Sequence, residues 1–213
     1  MKITVFGATG NVGKRVIDEA LMRGHQVKAV LRNSSRIDEL NPAVNFVIGD
    51  ADKVSDVVKF SEGQDLVISA TRPPQGAENQ LVTTTKSLLA GLAQTKVRLL
   101  LVGGAASLTV PNKPDTLVVD DTNWVSLAWR DIALACLAQH QLCQEDEIIE
   151  WSYLSPPAMI QPGDRTGTFR LGSDELLVDE QGNSSISLED FAIALVDEAE
   201  QYKHSKKRFT VAY

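Results

Sequence analysis

Three glycines spaced three residues apart, in Gly7-Ala-Thr-Gly10-Asn-Val-Gly13, carry the strongest chemistry in this sequence. Placed between a strand and a helix, such a turn suits phosphate. Gly7 permits the sharp turn, Gly10 lets backbone approach a pyrophosphate, and Gly13 lets the helix lie tight on the strand. The helix N-terminus adds free N–H groups and partial positive charge. Thr9, Asn11 and Val12 complete the turn and count with the glycines as expected cofactor contacts.

Other residues extend that reading. A dinucleotide site that prefers NAD places a carboxylate near the end of the second strand. This chain has Arg32 there, with Arg36 one short turn on, in Val30-Leu-Arg-Asn-Ser-Ser-Arg36. A guanidinium at that point pairs with a 2′-phosphate and stacks on adenine, so NADP(H) is expected over NAD(H). Asp50 and Ala51 suit the adenine edge, although Asp50 is equally a candidate helix N-cap. Ala70 and Thr71 leave room for a ribose, and Arg72 is available to phosphate. Gly104 and Pro156 stand at the ends of the next two strands. Ser107 is the hydroxyl expected near the nicotinamide as the candidate catalytic group, against a loop-structuring role. Trp124 and Trp129 offer rings to a flat substrate or simply pack.

These residues need a scaffold. The spacing predicts strands at 2–6, 26–31, 44–48, 65–69, 97–102, 148–154 and 208–212, with helices at 11–23, 34–40, 53–61, 77–93 and 124–145. A last helix opens at Phe191, with Ser187 as N-cap and Asp190 in its first turn. Residues 103–123 read as a long loop. Alternating strand and helix imply an α/β, Rossmann-like, doubly wound parallel sheet with helices on both faces, and ligands bind beyond the carboxyl ends of such strands. The expected organisation is a single domain, 1–213, with 156–190 contributing a small substrate-side lobe.

Composition narrows the function classes. Of 213 residues, 43% are hydrophobic, and 21 basic against 28 acidic residues give a net charge of −7. That balance disfavours nucleic acid and anionic membrane surfaces as partners. No apolar run approaches a membrane span and the N-terminus lacks signal-peptide features, so a cytoplasmic location is expected. Cys136 and Cys143, on one helix, would lie about 10 Å apart, beyond the ~7 Å reach of a disulfide. No cluster has metal-ligand spacing. His25 reads as a surface residue, His140 as complementing a helix dipole, and His204 as part of a basic tail.

With these residues in place, the chain resembles the atypical short-chain dehydrogenase/reductase superfamily in its small NAD(P)H-binding branch. It is similar to proteins called NADH-flavin reductases and related to biliverdin reductase B and NmrA-like proteins. The likeness runs through Gly7–Gly13, Gly49-Asp-Ala51, Gly103–Leu108, Trp151–Pro156, Pro162-Gly-Asp-Arg-Thr-Gly167 and Ile186–Asp190, nearly the whole chain. It implies a bound nicotinamide dinucleotide and a pocket formed by the loop after strand five and the C-terminal third.

One departure matters. The wider superfamily places Tyr-x-x-x-Lys on the helix between strands five and six, and no tyrosine occurs from 103 to 148. The string appears only as Tyr202-Lys-His-Ser-Lys206, read as a chance match. Without that acid, the expected substrate is a small planar redox acceptor, a flavin or quinone, that takes hydride directly and finds its proton in solvent. A flavin would then be substrate rather than tightly bound cofactor. The alternatives are a non-enzymatic dinucleotide redox sensor and, third, a nucleotide-sugar epimerase or dehydratase. Homo-oligomerisation stays open.

Overall fold

A computed structural model describes residues 1–213. The first half runs β1 (Lys2–Phe6), α1 (Asn11–Met22), β2 (Gln26–Leu31), a 3-10 turn (Ser34–Glu39), β3 (Asn45–Ile48), α2 (Val54–Ser61), β4 (Leu66–Ser69), α3 (Gln80–Thr95) and β5 (Arg98–Val102). A short hairpin follows, β6 (Thr109–Val110) with β7 (Lys113–Leu117). Then come α4 (Arg130–Glu145), β8 (Trp151–Ser155), β9 (Met159–Gln161), β10 (Arg170–Gly172), β11 (Ser185–Ser187), α5 (Leu188–Gln201) and β12 (Lys207–Ala212).

Eight strands form one sheet in the order β10-β12-β8-β5-β4-β1-β2-β3. Every pairing is parallel except that of β10 with β12. Parallel strands covered on both faces are built from continuous apolar runs; all four residues of β4 are buried. Alternate side chains feed two cores. Ile3, Val5 and Leu100 pack with α1 and α5, while Phe6, Leu99 and Leu101 pack with α2, α3 and α4. The expected Rossmann-like α/β class is the observed one.

Several boundaries differ from the sequence reading. Residues 103–123 are not one loop but a 3-10 turn (Ala105–Ser107), the β6–β7 hairpin and a second turn (Val118–Asp120). The helix expected from 124 begins at Arg130. Asp121 accounts for the delay: its carboxylate accepts the Asn123 N–H at 3.0 Å, and its carbonyl accepts the Trp124 and Val125 N–H groups at 3.0 and 3.1 Å. That turn competes with helix at 121–125. Likewise Asp146 holds the N–H groups of Ile148 and Ile149, each at 2.9 Å, and postpones β8 to Trp151. The N-cap reading of Ser187 holds, its Oγ accepting the Asp190 N–H at 3.0 Å.

Candidate active site

The carboxyl ends of β1, β2, β3 and β4 converge on an open cleft of about 190 Å3. Its floor is the glycine turn. Gly7 has φ 77°, and a Cβ there would lie 2.4 Å from the Ala70 carbonyl oxygen, so strain and close approach both demand glycine. A Cβ on Gly13 would come 2.2 Å from the Gly7 oxygen; its absence lets α1 start against the strand end. Gly10 faces the cleft with ordinary backbone, φ −73°. The Gly10 N–H bonds the Gly7 carbonyl, and Lys14 N–H is the first in α1 to find a helical acceptor. The N–H groups of Asn11, Val12 and Gly13 therefore have no partner in the chain, no side chain caps them, and the first turn holds no acidic residue. Thr9 lines the cleft with Gly7 and Gly10; Asn11, Val12 and Gly13 follow as the first residues of α1 and are not part of its lining.

The outer wall carries the arginines. Arg32, at the end of β2, lines the cleft, is exposed, and has no ionic partner. Arg36 also lines it but differs. Its guanidinium bonds both oxygens of Glu39, at 2.5 and 2.8 Å, and Lys14 bonds the same carboxylate. Arg36, and then Lys14, hold the Glu39 carboxyl down at about 2. Arg36 thus carries its own counter-ion, whereas Arg32 carries none.

At the end of β3, Asp50 and Ala51 line the cleft. Asp50 does not cap α2; Lys53 occupies that position with no side-chain bond. One Asp50 oxygen accepts the Asp52 N–H at 3.1 Å, which leaves its second oxygen and the Ala51 N–H without partners in the chain. Ala70, Thr71 and Arg72 form the wall at the end of β4. Asp52, Gln80 and Thr84 also line it and were not anticipated. Thr84 bonds the Asp52 carboxylate and Ser87 donates to the Asp52 carbonyl at 2.8 Å, which locks α3 to the turn after β3. The Pro73-Pro74 break before α3 is the sequence signal that could have placed these residues.

Beyond β4 the site is shaped by a buried phenol. Tyr153 on β8 is fully buried, and a Cβ on Gly103 would strike its ring at 2.0 Å. Its oxygen accepts the Gly104 N–H at 3.2 Å and faces the Cys136 carbonyl at 3.0 Å and Gln139 Oε1 at 3.2 Å as acceptors. Gly104 lies against Cys136, with room for no Cβ. Burial pushes the Tyr153 phenol well above its ordinary value and the Cys136 thiol up to about 11. Gly104 and Pro156 stand at the ends of β5 and β8, outside the lining of this cleft. Ser107 lies outside it too. It is buried, and its Oγ and carbonyl accept from Arg208 at 2.7 and 2.6 Å, which pins the 105–107 turn to β12.

The histidines and the displaced Tyr-x-x-x-Lys string find structural partners. His140 is buried against Tyr153, with ring centroids 4.8 Å apart, and burial lowers it to about 4. Neutral at pH 7, it does not complement the helix dipole as its position in α4 suggested. His25 bonds Glu200 at 2.9 Å and His204 bonds Glu198 at 2.7 Å. Tyr202 bonds Glu150 and lies under Arg98, at the amino end of the sheet, opposite the cleft.

Comparison with known proteins agrees with this architecture. A family model described as NAD(P)H-binding matches residues 7–201. The Bacillus subtilis protein YwnB, uncharacterised, is 35% identical over 99% of this chain and 98% of its own. A Burkholderia pseudomallei structure, provisionally named an exported protein, is 39% identical, covers both chains fully and superposes with a TM-score of 0.89. A Streptococcus pneumoniae structure, provisionally named an NADH-flavin reductase, is 29% identical over 100% of this chain and 99% of its own, with a TM-score of 0.88. No helix is long and apolar enough to cross a membrane. With its glycine turn, parallel sheet and near-complete match, the chain belongs to the NAD(P)H-binding family.

Proposed function

We propose that this protein is an NADPH-dependent oxidoreductase that reduces a flavin, a quinone or a similar planar acceptor. The observation that carries the reading is the cleft itself. Gly10 lines the cleft directly before a helix whose first three N–H groups are unpaired, and an arginine without an ionic partner lines it as well. Such a cradle fits a dinucleotide: α1 and Gly10 would take the pyrophosphate, Asp50 and Ala51 the adenine edge, and Arg32 a 2′-phosphate. When bound, the reduced nicotinamide supplies the hydride.

The chain's own contribution is placement rather than acid catalysis. Burial holds Tyr153 and Cys136 protonated, Arg208 engages Ser107, and His140 is enclosed. None is an exposed acid beside the cleft. An acceptor that takes its proton from water suits such a site; a ketone, which needs a positioned acid, does not. The Streptococcus relative's name supports the same substrate class.

Fluorescence titration with NADPH and NADH, followed by addition of FMN or menadione, tests the reading. NADPH should bind more tightly, and Arg32→Ala should cost it roughly 10- to 150-fold while leaving NADH within about twofold, since a charge-assisted hydrogen bond contributes about 1.5–3 kcal/mol. Oxidation of NADPH by the acceptor should follow. Binding without turnover across several acceptors would instead make the protein a dinucleotide sensor.

A further inference from the structure

The proposed reductase needs a surface that holds its acceptor, and Trp129 stands where one would be useful. It lies just before α4, beside the end of β4, and its guanidinium neighbour is Arg72, 5.5 Å from the ring centroid. Arg72 lines the cleft and makes no ion pair. Although Arg72 lies over the ring, Trp129 remains 60% exposed, and Leu127 beside it is 82% exposed. Large apolar side chains left in water together beside a ligand cleft mark a contact surface.

The segment is held in place. Asp121 accepts from Lys113 at 3.0 Å and from the Asn123 side chain at 2.7 Å. Arg130 donates to the Val119 carbonyl at 2.9 Å. The other two tryptophans are less available: Trp124 is half-buried and Trp151 is buried.

We propose that Trp129 is the acceptor platform and the specificity-determining contact of the reaction: a planar ring system stacks on its exposed surface, flanked by Leu127. Arg72, which touches both the tryptophan and the cleft, draws in acceptors that carry an anionic substituent. This rests on the reductase reading for its substrate class, but the contact is measurable without turnover. An FMN-sized ring fits the description better than an extended apolar chain, because the surface is one indole and one leucine wide.

The test is quenching of tryptophan fluorescence by FMN and by menadione in wild type, Trp129→Phe and Trp129→Ala, alongside NADPH oxidation. Both acceptors should quench the wild type. Trp129→Ala should raise acceptor Kd and KM about tenfold, the scale of lost ring stacking. Trp129→Phe should return them to within about twofold, with NADPH affinity within twofold throughout. Menadione, uncharged, should lose less than FMN in Arg72→Ala. Turnover in wild type with an unchanged acceptor KM in Trp129→Ala would overturn the platform and leave the reductase reading standing. Quenching at Trp129 without NADPH oxidation would support the platform and overturn the reductase reading. Loss of NADPH affinity in Trp129→Ala beyond twofold would place the residue on the dinucleotide side and refute the proposal.

Discussion

Gly10 and Gly13 look alike in the sequence, but the structure separates their roles, and alanine at each makes the separation measurable. A Cβ on Gly10 would lie 3.2 Å from the Gly7 carbonyl oxygen and 3.8 Å from that of Ala70. The first contact is tight but tolerable, and φ −73° suits alanine. Replacing glycine at such a position stabilises by about 0.4–1 kcal/mol through the unfolded chain, which offsets the tight contact. The Tm of Gly10→Ala should therefore stay within about 2 °C of wild type. The new methyl group, however, is added to the cleft lining at the residue directly before α1, where the proposed pyrophosphate would sit. Pushing a phosphate off the free N–H groups of α1 forfeits a charge-assisted hydrogen bond, about 1.5–3 kcal/mol, or roughly 10- to 150-fold in NADPH affinity. Gly13→Ala is the control. Its Cβ would sit 2.2 Å from the Gly7 oxygen and 3.1 Å from Ala8 Cα, both backbone of the central strand end. Neither can yield alone, so α1 must back away, and overpacking of this kind costs about 1–3 kcal/mol. That lowers Tm by about 2–10 °C. Thermal unfolding and NADPH titration read both quantities. Wild-type NADPH affinity in Gly10→Ala would refute the seat assigned to the pyrophosphate, and a Tm loss in Gly10→Ala matching that of Gly13→Ala would refute the division of roles.

Three further outcomes are expected. Asp190, fully buried, accepts from Thr166 and Gly167 N–H, the Thr166 hydroxyl and the Tyr213 hydroxyl, so Asp190→Asn should destabilise by about 2 kcal/mol in urea unfolding. Arg165→Ala removes one of two guanidinium partners of buried Glu19; limited proteolysis should then cut first within 162–168. Burial would raise Asp190, but its hydrogen bonds win and lower it, while for Glu19 the Arg165 bond leads; both carboxyls sit below their ordinary values. Their stabilisation is complete above the unfolded carboxylate range and is lost as pH falls through the lowered folded values. His140 adds an earlier limb. Burial lowers it to about 4, so the unfolded chain takes up its proton first as pH falls from 6.5, and stability should drop by up to about 3 kcal/mol by pH 4. The urea midpoint of His140→Gln should be flatter across that window.

Most of the fold was legible because its signals are local. Gly24, Gly49 and Gly103 end segments that the apolar pattern begins, and each predicted strand of the parallel sheet appears within about three residues of its expected bounds. The cleft was legible for the same reason: it is built from strand ends, and strand ends can be counted. What stayed hidden depends on contacts far apart in sequence or on which face of a helix turns inward. His140 reads as a dipole partner until its ring is seen against Tyr153. Arg36 lines the cleft as its spacing suggested, but its pairing with Glu39, which Lys14 shares, could not be read from the sequence. The late start of α4 reflects Asp121 competing for backbone N–H groups, a contest that helical periodicity does not register.

The Pro162–Gly167 segment shows how such hidden contacts bear on the cleft. By sequence it belongs with the C-terminal pocket. In the structure Arg165 forks onto Glu19 at 2.9 Å twice, and Glu189 joins Arg15 at 2.6 Å to the Gly163 N–H at 2.9 Å. Both links end on α1, the helix whose first turn offers the free N–H groups. Arg23, at the other end of α1, reaches Asp197 and Glu200 of α5. The helix that presents donors to the cleft is thus clamped along its length by the C-terminal third. A donor set is useful to an anion only if it does not have to be ordered on binding. The charged residues of this clamp suit that end: they tie α1, whose first turn is proposed to take the phosphate, to the C-terminal third.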